Sequence, residues 1–329
     1  HQVVHYQLSL PGEQEHRAVA ITVLRSLRQR RGARVELTRP DLDDLVRSLS
    51  GMTVNQARQA IARTVLEDGT LCAADIQRIA EEKARTLGDD GLLEYFPAED
   101  NPFELGGFAR LKQWLARARV GFSKQAAELN LTPPRGILMV GVQGCGKSLA
   151  AKCIARQWGL PLVKLDAGRL YDKYVGESEK NLRRAIEVAE SMAPVVLWID
   201  EIEKGFTPTG GDQDGGLSKR IFATFLTWMQ EKKKEVFLVA TANDVFSLPP
   251  EFLRKGRFDE IFFVDLPDPQ ERATIFGIHL SHRKQEPSTF DLDQLVAQSE
   301  GFSGAEIEQA VIAGLYRSLH EKRPLDTKL

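Results

Sequence analysis

Residues 141–148 read GVQGCGKS and follow directly on the apolar run Gly136-Ile137-Leu138-Met139-Val140. The spacing is that of G-x-x-x-x-G-K-[ST], a loop whose backbone N–H groups wrap phosphates while its lysine neutralises them. The flanks agree, because a strand-like run precedes the loop and the helix-forming Leu149-Ala150-Ala151-Lys152 follows it. A glycine-rich loop opening a helix presents donors and the positive end of the helix dipole to an anion. Lys147 is therefore expected at the β- and γ-phosphates and Ser148 on Mg2+. Gly144, Cys145, Gly146 and Leu149 complete the nucleotide-binding segment. Cys145 reads as a small side chain tolerated beside phosphate rather than as a redox switch.

The rest of the composition limits what this loop can serve. At 329 residues and 42% apolar, the chain can bury more than one core, so two or three domains are expected. Its 44 Lys and Arg against 46 Asp and Glu exert no global pull on nucleic acid or anionic membrane. No apolar run reaches the ~18 residues of a membrane span. Three scattered cysteines make neither a disulfide framework nor a zinc site. The expected setting is the cytoplasm, without a membrane partner. The opening HQVVHYQLSL resembles the middle of a strand, so a piece of a longer protein is expected.

Three regions follow along the chain. Residues 1–96 are helix-rich, with helical apolar spacing at Leu42, Leu45, Val46 and Leu49 and again at Ala57, Ala60, Ile61 and Val65. Over 97–267, β-type runs (GILMV, LPLVKLD, PVVLWID, VFLVATAN, EIFFVDL) alternate with helical stretches such as 177–191 and 217–231, which predicts an α/β fold with a parallel sheet covered by helices. Residues 268–329 are helical again, and Ser303-x-x-Glu306 marks a helix start.

Two further strand ends carry chemistry. In VVLWIDE (195–201), Asp200 is placed to reach Mg2+ and Glu201 to orient and deprotonate an attacking water. In VFLVATAND, Asn243 lies beside the γ-phosphate if its strand neighbours VVLWID; its alternative reading is a turn cap. Arg254 and Arg257, just before the last strand, read either as a solvated turn or as fingers reaching a neighbouring subunit's γ-phosphate.

With these motifs in order, the chain resembles the AAA clade of AAA+ P-loop ATPases. The likeness runs from ELGG at 104–107 through PPRGILMVGVQGCGKS, KYVGESEKNLR, LWIDEIEK, ATAND, LRKGRFDEIF and LPDPQERATIFGIHL to GFSGAEIEQAV at 301–311. Within the clade it looks most like the AAA ATPases of hypothetical (ycf-type) reading frames in plastids and cyanobacteria. The resemblance implies Mg-dependent ATP hydrolysis, a large α/β subdomain with a C-terminal helical lid, and a hexamer with ATP. It implies the roles above for Lys147, Ser148, Asp200, Glu201 and Asn243, with Arg254 and Arg257 as intersubunit fingers. It also implies adenine or ribose contacts from Glu104, Gly106, His279 and Gly304. The clade usually has Pro near Val142-Gln143, and Thr at Cys145 and Ser148, which bears on rate more than on activity.

For the use of that energy, Tyr174-Val175-Gly176 resembles the aromatic–aliphatic–Gly loop that grips polypeptide in the channel of hexameric unfoldases; its plainer reading is a tyrosine packed at a turn. Thr207–Gly216 is too rich in Gly and Asp to pack a core and fits a second pore loop. The leading expectation is a ring that remodels or unfolds a protein client. The alternatives are an ATP-dependent switch or scaffold that does not thread its partner, and a nucleic-acid-directed protein suggested by six arginines between Arg25 and Arg39. The latter is disfavoured, since Gly304-Ala305 stands where such proteins carry a sensor arginine.

An internal repeat completes the reading. LVRSLSGMTVNQARQAI at 45–61 aligns without gaps onto LVAQSEGFSGAEIEQAV at 295–311, and LSLPGEQE at 8–15 resembles VDLPDPQE at 264–271. Residues 1–96 are thus expected to resemble the lid of a preceding AAA-like module, without a phosphate loop of their own.

Overall fold

The computed structural model describes residues 11–31, 34–49, 52–76, 78–79, 92–96, 105–122, 124–170, 177–206 and 217–327. Contacts divide the chain into two compact units, residues 1–95 together with 183–193, and residues 96–182 together with 194–329. Tyr174, Val175 and the Thr207–Gly216 loop lie outside the described residues, as does Glu104.

The first unit holds helices α1 (Glu13–Arg31), α2 (Arg39–Leu49) and α3 (Val54–Asp68). The predicted apolar stripes form its core, in which Leu45, Leu49, Ala57 and Ile61 are fully buried against Ala20 and Val23. Strands β1 (Arg34–Val35) and β2 (Thr70–Leu71) form a short parallel pair. Helix α3 begins at a capping box: Thr53 accepts from the Gln56 amide, and the Gln56 side chain answers at the Thr53 amide. It ends at Gly69, whose φ of +78° suits a residue without Cβ. Strand β3 (Leu93–Phe96) follows.

In the second unit, α4 (Ala109–Ala118) and α5 (Lys124–Glu128) precede β4 (Gly136–Gly141), α6 (Lys147–Trp158) and β5 (Leu162–Leu165). The chain then runs through α7 (Glu177–Ser191), whose residues from 183 onward are counted with the first unit, to β6 (Val195–Ile199), α8 (Ile202–Phe206), α9 (Leu217–Glu231), β7 (Val236–Ala242) and β8 (Glu260–Val264) of the second. Helices α7 and α9 occupy the predicted spans. The strands stand in the order β5–β6–β7–β4–β8, and each neighbouring pair is parallel. β6 and β7 are buried along their whole length, which is why they read as unbroken apolar runs rather than alternating ones. Their core includes Trp158 against Phe237 at 4.5 Å between ring centroids.

The chain closes with α10 (Pro269–His282), α11 (Leu292–Gln298) and α12 (Gly304–Glu321), packed around Phe276, Leu280, Ile307 and Val311. Capping boxes start both long helices, Asp268 with Glu271 and Ser303 with Glu306. Among the described residues no helix is long and apolar enough to cross a membrane.

Candidate nucleotide site

In a parallel sheet the loops after the strands all leave at one end, where a crevice forms. Here β4 pairs with β7 (Val140 opposite Ala242) and β7 with β6 (Ala240 opposite Ile199). The loop 142–146, the Asp200-Glu201 pair and Thr241 to Asn243 are thereby brought to the same edge. The sequence condition on Asn243, that its strand neighbour VVLWID, is met.

The glycines of the loop answer to local sterics. Gly141 has φ +149°, and a Cβ there would stand 1.8 Å from the Val264 carbonyl oxygen. Gly146, at φ +85°, is the N-cap of α6 and supplies no side-chain cap, so the first amides of the helix face the loop. Lys147 is buried, and its ammonium donates to the carbonyls of Gly141 and Val142, both at 2.7 Å. Burial lowers the Lys147 pKa, with Cys145, Glu203, Asp200 and Glu201 pulling the other way. The Cys145 thiol is pushed up, chiefly by burial.

Asp200 is held from three directions. Its Oδ1 accepts from Ser148 Oγ at 3.0 Å and from Thr241 Oγ1 at 2.6 Å, while Oδ2 lies 3.4 Å from Lys164 Nζ. Glu201 adopts φ +49°, a left-handed conformation that costs about 1–3 kcal/mol outside glycine. Its amide donates to Thr241 Oγ1 at 3.0 Å, and its carboxylate accepts from Asn243 Nδ2 at 2.8 Å and from Lys204. Hydroxyl and carboxylate oxygens are the donors Mg2+ prefers. Among the described residues no cluster of three or more His, Cys, Asp or Glu side chains gathers to hold a metal. Ser148 and Asp200 thus fit a cation that takes its other ligands from phosphate and water, as Mg2+ does.

Beside the loop lies a cavity of about 930 Å3 whose lining includes Gly106, Gly144, Cys145, Gly146, Leu149, His279 and Gly304, the described residues expected there. Phe108 and Ile275 add apolar wall. His279 is not the surface histidine it would be in isolation: its side chain is 14% exposed, and burial lowers its pKa. The helical lid is tied to the phosphate loop, because the Ala305 amide donates to the Gly144 carbonyl at 3.0 Å. Gly304 therefore sits beside the loop, a placement that only the resemblance led one to expect.

Arg254 and Arg257 are not among the residues lining this cavity. Arg254 is exposed, whereas Arg257 keeps Nη1 buried with no hydrogen-bond partner among the described residues. Two residues of the site went unnoticed in the sequence. Thr241 passes for a β-branched strand filler in ATAND, and only its bonds to both acidic residues single it out. Lys164 left a fainter signal, a charge inside the apolar run LVKLD.

Comparison with known proteins agrees with this architecture. Residues 137–266 match the family model described as ATPase family associated with various cellular activities (AAA), and residues 14–90 match that of a SpoVK-like AAA ATPase, second domain. The protein named uncharacterized AAA domain-containing protein ycf46 is 44% identical over 287 residues in Guillardia theta, covering 87% of this chain and 57% of that protein. In Pyropia yezoensis its namesake is 43% identical over 288 residues, covering 87% and 58%. The chain thus spans less than three fifths of the length of these relatives. A cell division cycle protein 48 homolog of Archaeoglobus fulgidus is 33% identical over 210 residues, 62% of this chain and 28% of that protein. Motif order, strand order and these matches converge: the chain carries a domain of the AAA ATPase family at residues 137–266.

Proposed function

We propose that this chain is an ATP-hydrolysing motor subunit that works in a ring, a hexamer with ATP, to remodel or unfold a protein client. The family implies ATP hydrolysis; the observation that supports the rest of the site assignment is the bonding of Ser148, at the start of α6, to Asp200, together with that of Asn243 to Glu201 between the ends of the neighbouring strands β7 and β6. In this reading Lys147 leaves its carbonyls for the β- and γ-phosphates, and Ser148 and Asp200 hold Mg2+. Glu201 takes the proton of the attacking water while Asn243 keeps its carboxylate in place. Mg2+, when bound, neutralises phosphate charge. Arg254 and Arg257 serve a neighbouring subunit's site, and Tyr174 and Val175 grip the client.

Glu201→Gln tests the chemistry. It should retain ATP and slow turnover about 10²–10⁴-fold, the usual loss for a positioned base. Parental turnover would remove Glu201 from the mechanism. The same variant, held with ATP, should retain the client for identification. Tyr174→Ala then separates threading from switching, since a threading motor loses remodelling while its ATPase persists, and a switch loses neither.

We also infer that residues 1–96 carry the lid of a second, AAA-like module, followed by the ATPase subdomain at 97–267 and its own lid at 268–329. The support is residue by residue. Offsets of 256 and 250 pair His16 with Arg272, both buried, and the buried Ala20 with Phe276, Leu49 with Ser299, Ala57 with Ile307 and Ile61 with Val311. Both first helices open with a glutamate accepting an amide three residues back, Glu15 from Gly12 and Glu271 from Asp268. Val54 stands where Gly304 meets the phosphate loop, so this copy lacks that close approach. Calorimetric titration should find one ATP site per chain, lost in Lys147→Ala; a second site surviving that change refutes the inference.

A further inference from the structure

Lys164 stands where a buried strand calls for an apolar side chain. Leu162, Val163 and Leu165 around it are 1–2% exposed. In the β5–β6 pairing Lys164 is directly opposite Trp198, so the two side chains share one face of the sheet. Asp200, two residues after Trp198, is reached on that same side. The ammonium lies 4.4 Å from the Trp198 ring centroid and 3.4 Å from Asp200 Oδ2, and both ionic side chains are 26% exposed. A second cation, Lys152, one turn after Ser148 on α6, lies 5.9 Å from the same ring. The indole face thus steadies Lys164 against the carboxylate.

The two oxygens of Asp200 therefore have different neighbours: Oδ1 takes the hydroxyls of Ser148 and Thr241, while Oδ2 faces the ammonium. We propose that Lys164 is a built-in counter-ion of Asp200, which competes with the divalent cation for that carboxylate and so sets the metal affinity of the nucleotide site. The proposal rests on the reading that Ser148 and Asp200 hold Mg2+. A divalent cation approaching that pair meets a carboxylate whose charge is already partly cancelled, and it is also repelled by a fixed positive charge close by. Partial exposure lets solvent screen part of this effect.

The sign of the consequence is the opposite of the usual one. Side chains that merely orient a metal ligand weaken binding about 10–100-fold when removed. Removing a competing cation should instead tighten it. The test is the dissociation constant of Mn2+ in the presence of saturating ADP, read from the paramagnetic resonance signal of the free ion. Lys164→Met keeps the stem against Trp198 and removes the charge; it should bind Mn2+ about tenfold more tightly, at the low end of that range. Lys164→Arg keeps the charge and should stay within about twofold of the parent. Lys164→Gln repeats the loss of charge with a different side chain, so a folding failure of one neutral variant leaves the other as the test. Unchanged or weaker binding in the neutral variants overturns the proposal. Asp200→Asn separates the two levels: if it weakens Mn2+ binding while the neutral Lys164 variants do not tighten it, only the counter-ion role fails. If Asp200→Asn leaves Mn2+ binding unaltered, the metal-site reading fails and the counter-ion role falls with it.

Discussion

Replacing Thr241 by valine asks whether the acidic pair is held by hydrogen bonds or by packing alone. Thr241 is 1% exposed, donates to Asp200 at 2.6 Å and accepts from the Glu201 amide at 3.0 Å. Valine has the same shape and neither capacity. A hydrogen bond to a charged group contributes about 1.5–3 kcal/mol. Asp200 is 26% exposed, so the low end, about 1.5 kcal/mol, applies here. Stranding the Glu201 amide adds about 1 kcal/mol, and the new buried methyl returns up to about 0.8 kcal/mol. The net expectation is a loss of about 2 kcal/mol. Thr241→Ser makes the opposite change, keeping both bonds and losing a methyl, for about 1 kcal/mol. Urea unfolding followed by tryptophan fluorescence should rank the proteins parent, Ser, Val. Steady-state ATPase at saturating Mg·ATP should be near parental in Ser and about tenfold lower in Val, because Glu201 and Asp200 lose their shared anchor. A valine variant as stable as the parent, or more stable than the serine one, would refute the reasoning, leaving the strands themselves to position the acids.

If Arg254 and Arg257 act across an interface, turnover per chain must rise with protein concentration, since a missing finger is worth about 10³–10⁵ in rate; sedimentation alongside ATPase assays would detect an active monomer, which overturns the assignment. Gly141→Ala should cost about 2–4 kcal/mol in thermal or urea unfolding, because its Cβ would press on the Val264 carbonyl in a backbone conformation reserved for glycine. Burial lowers the His279 pKa from 6.5, with the nearby Arg283 and His282 acting in the same direction and Glu308 against it. The unfolded chain then binds the proton first, so the stability attached to neutral His279 is intact above pH 6.5 and is lost as the pH falls through the lowered value. His279→Gln should flatten that part of a pH–stability curve, and an unchanged slope would assign it to other groups.

Much of this was legible because covalent spacing alone determines it. GVQGCGKS between a strand and a helix can be read without coordinates, since the glycines, the lysine and the helix terminus act within eight residues. The capping signal Ser303-x-x-Glu306 is equally local, and the apolar runs marked out the strands of a parallel sheet, two of which are buried along their whole length. Strand order was not local. That β6 lies beside β7, and so that Asn243 reaches Glu201, depends on which strands the crossing helices carry together. The meeting of Ala305 with Gly144, some 160 residues apart, likewise arises only when the lid folds back on the loop. Lys164 and Thr241 show the same limit most sharply. In the sequence one is a charge inside a strand and the other an ordinary β-branched residue, because a side chain's partner across a sheet depends on register, which a single strand does not encode. Tertiary pairing alone turned both toward Asp200.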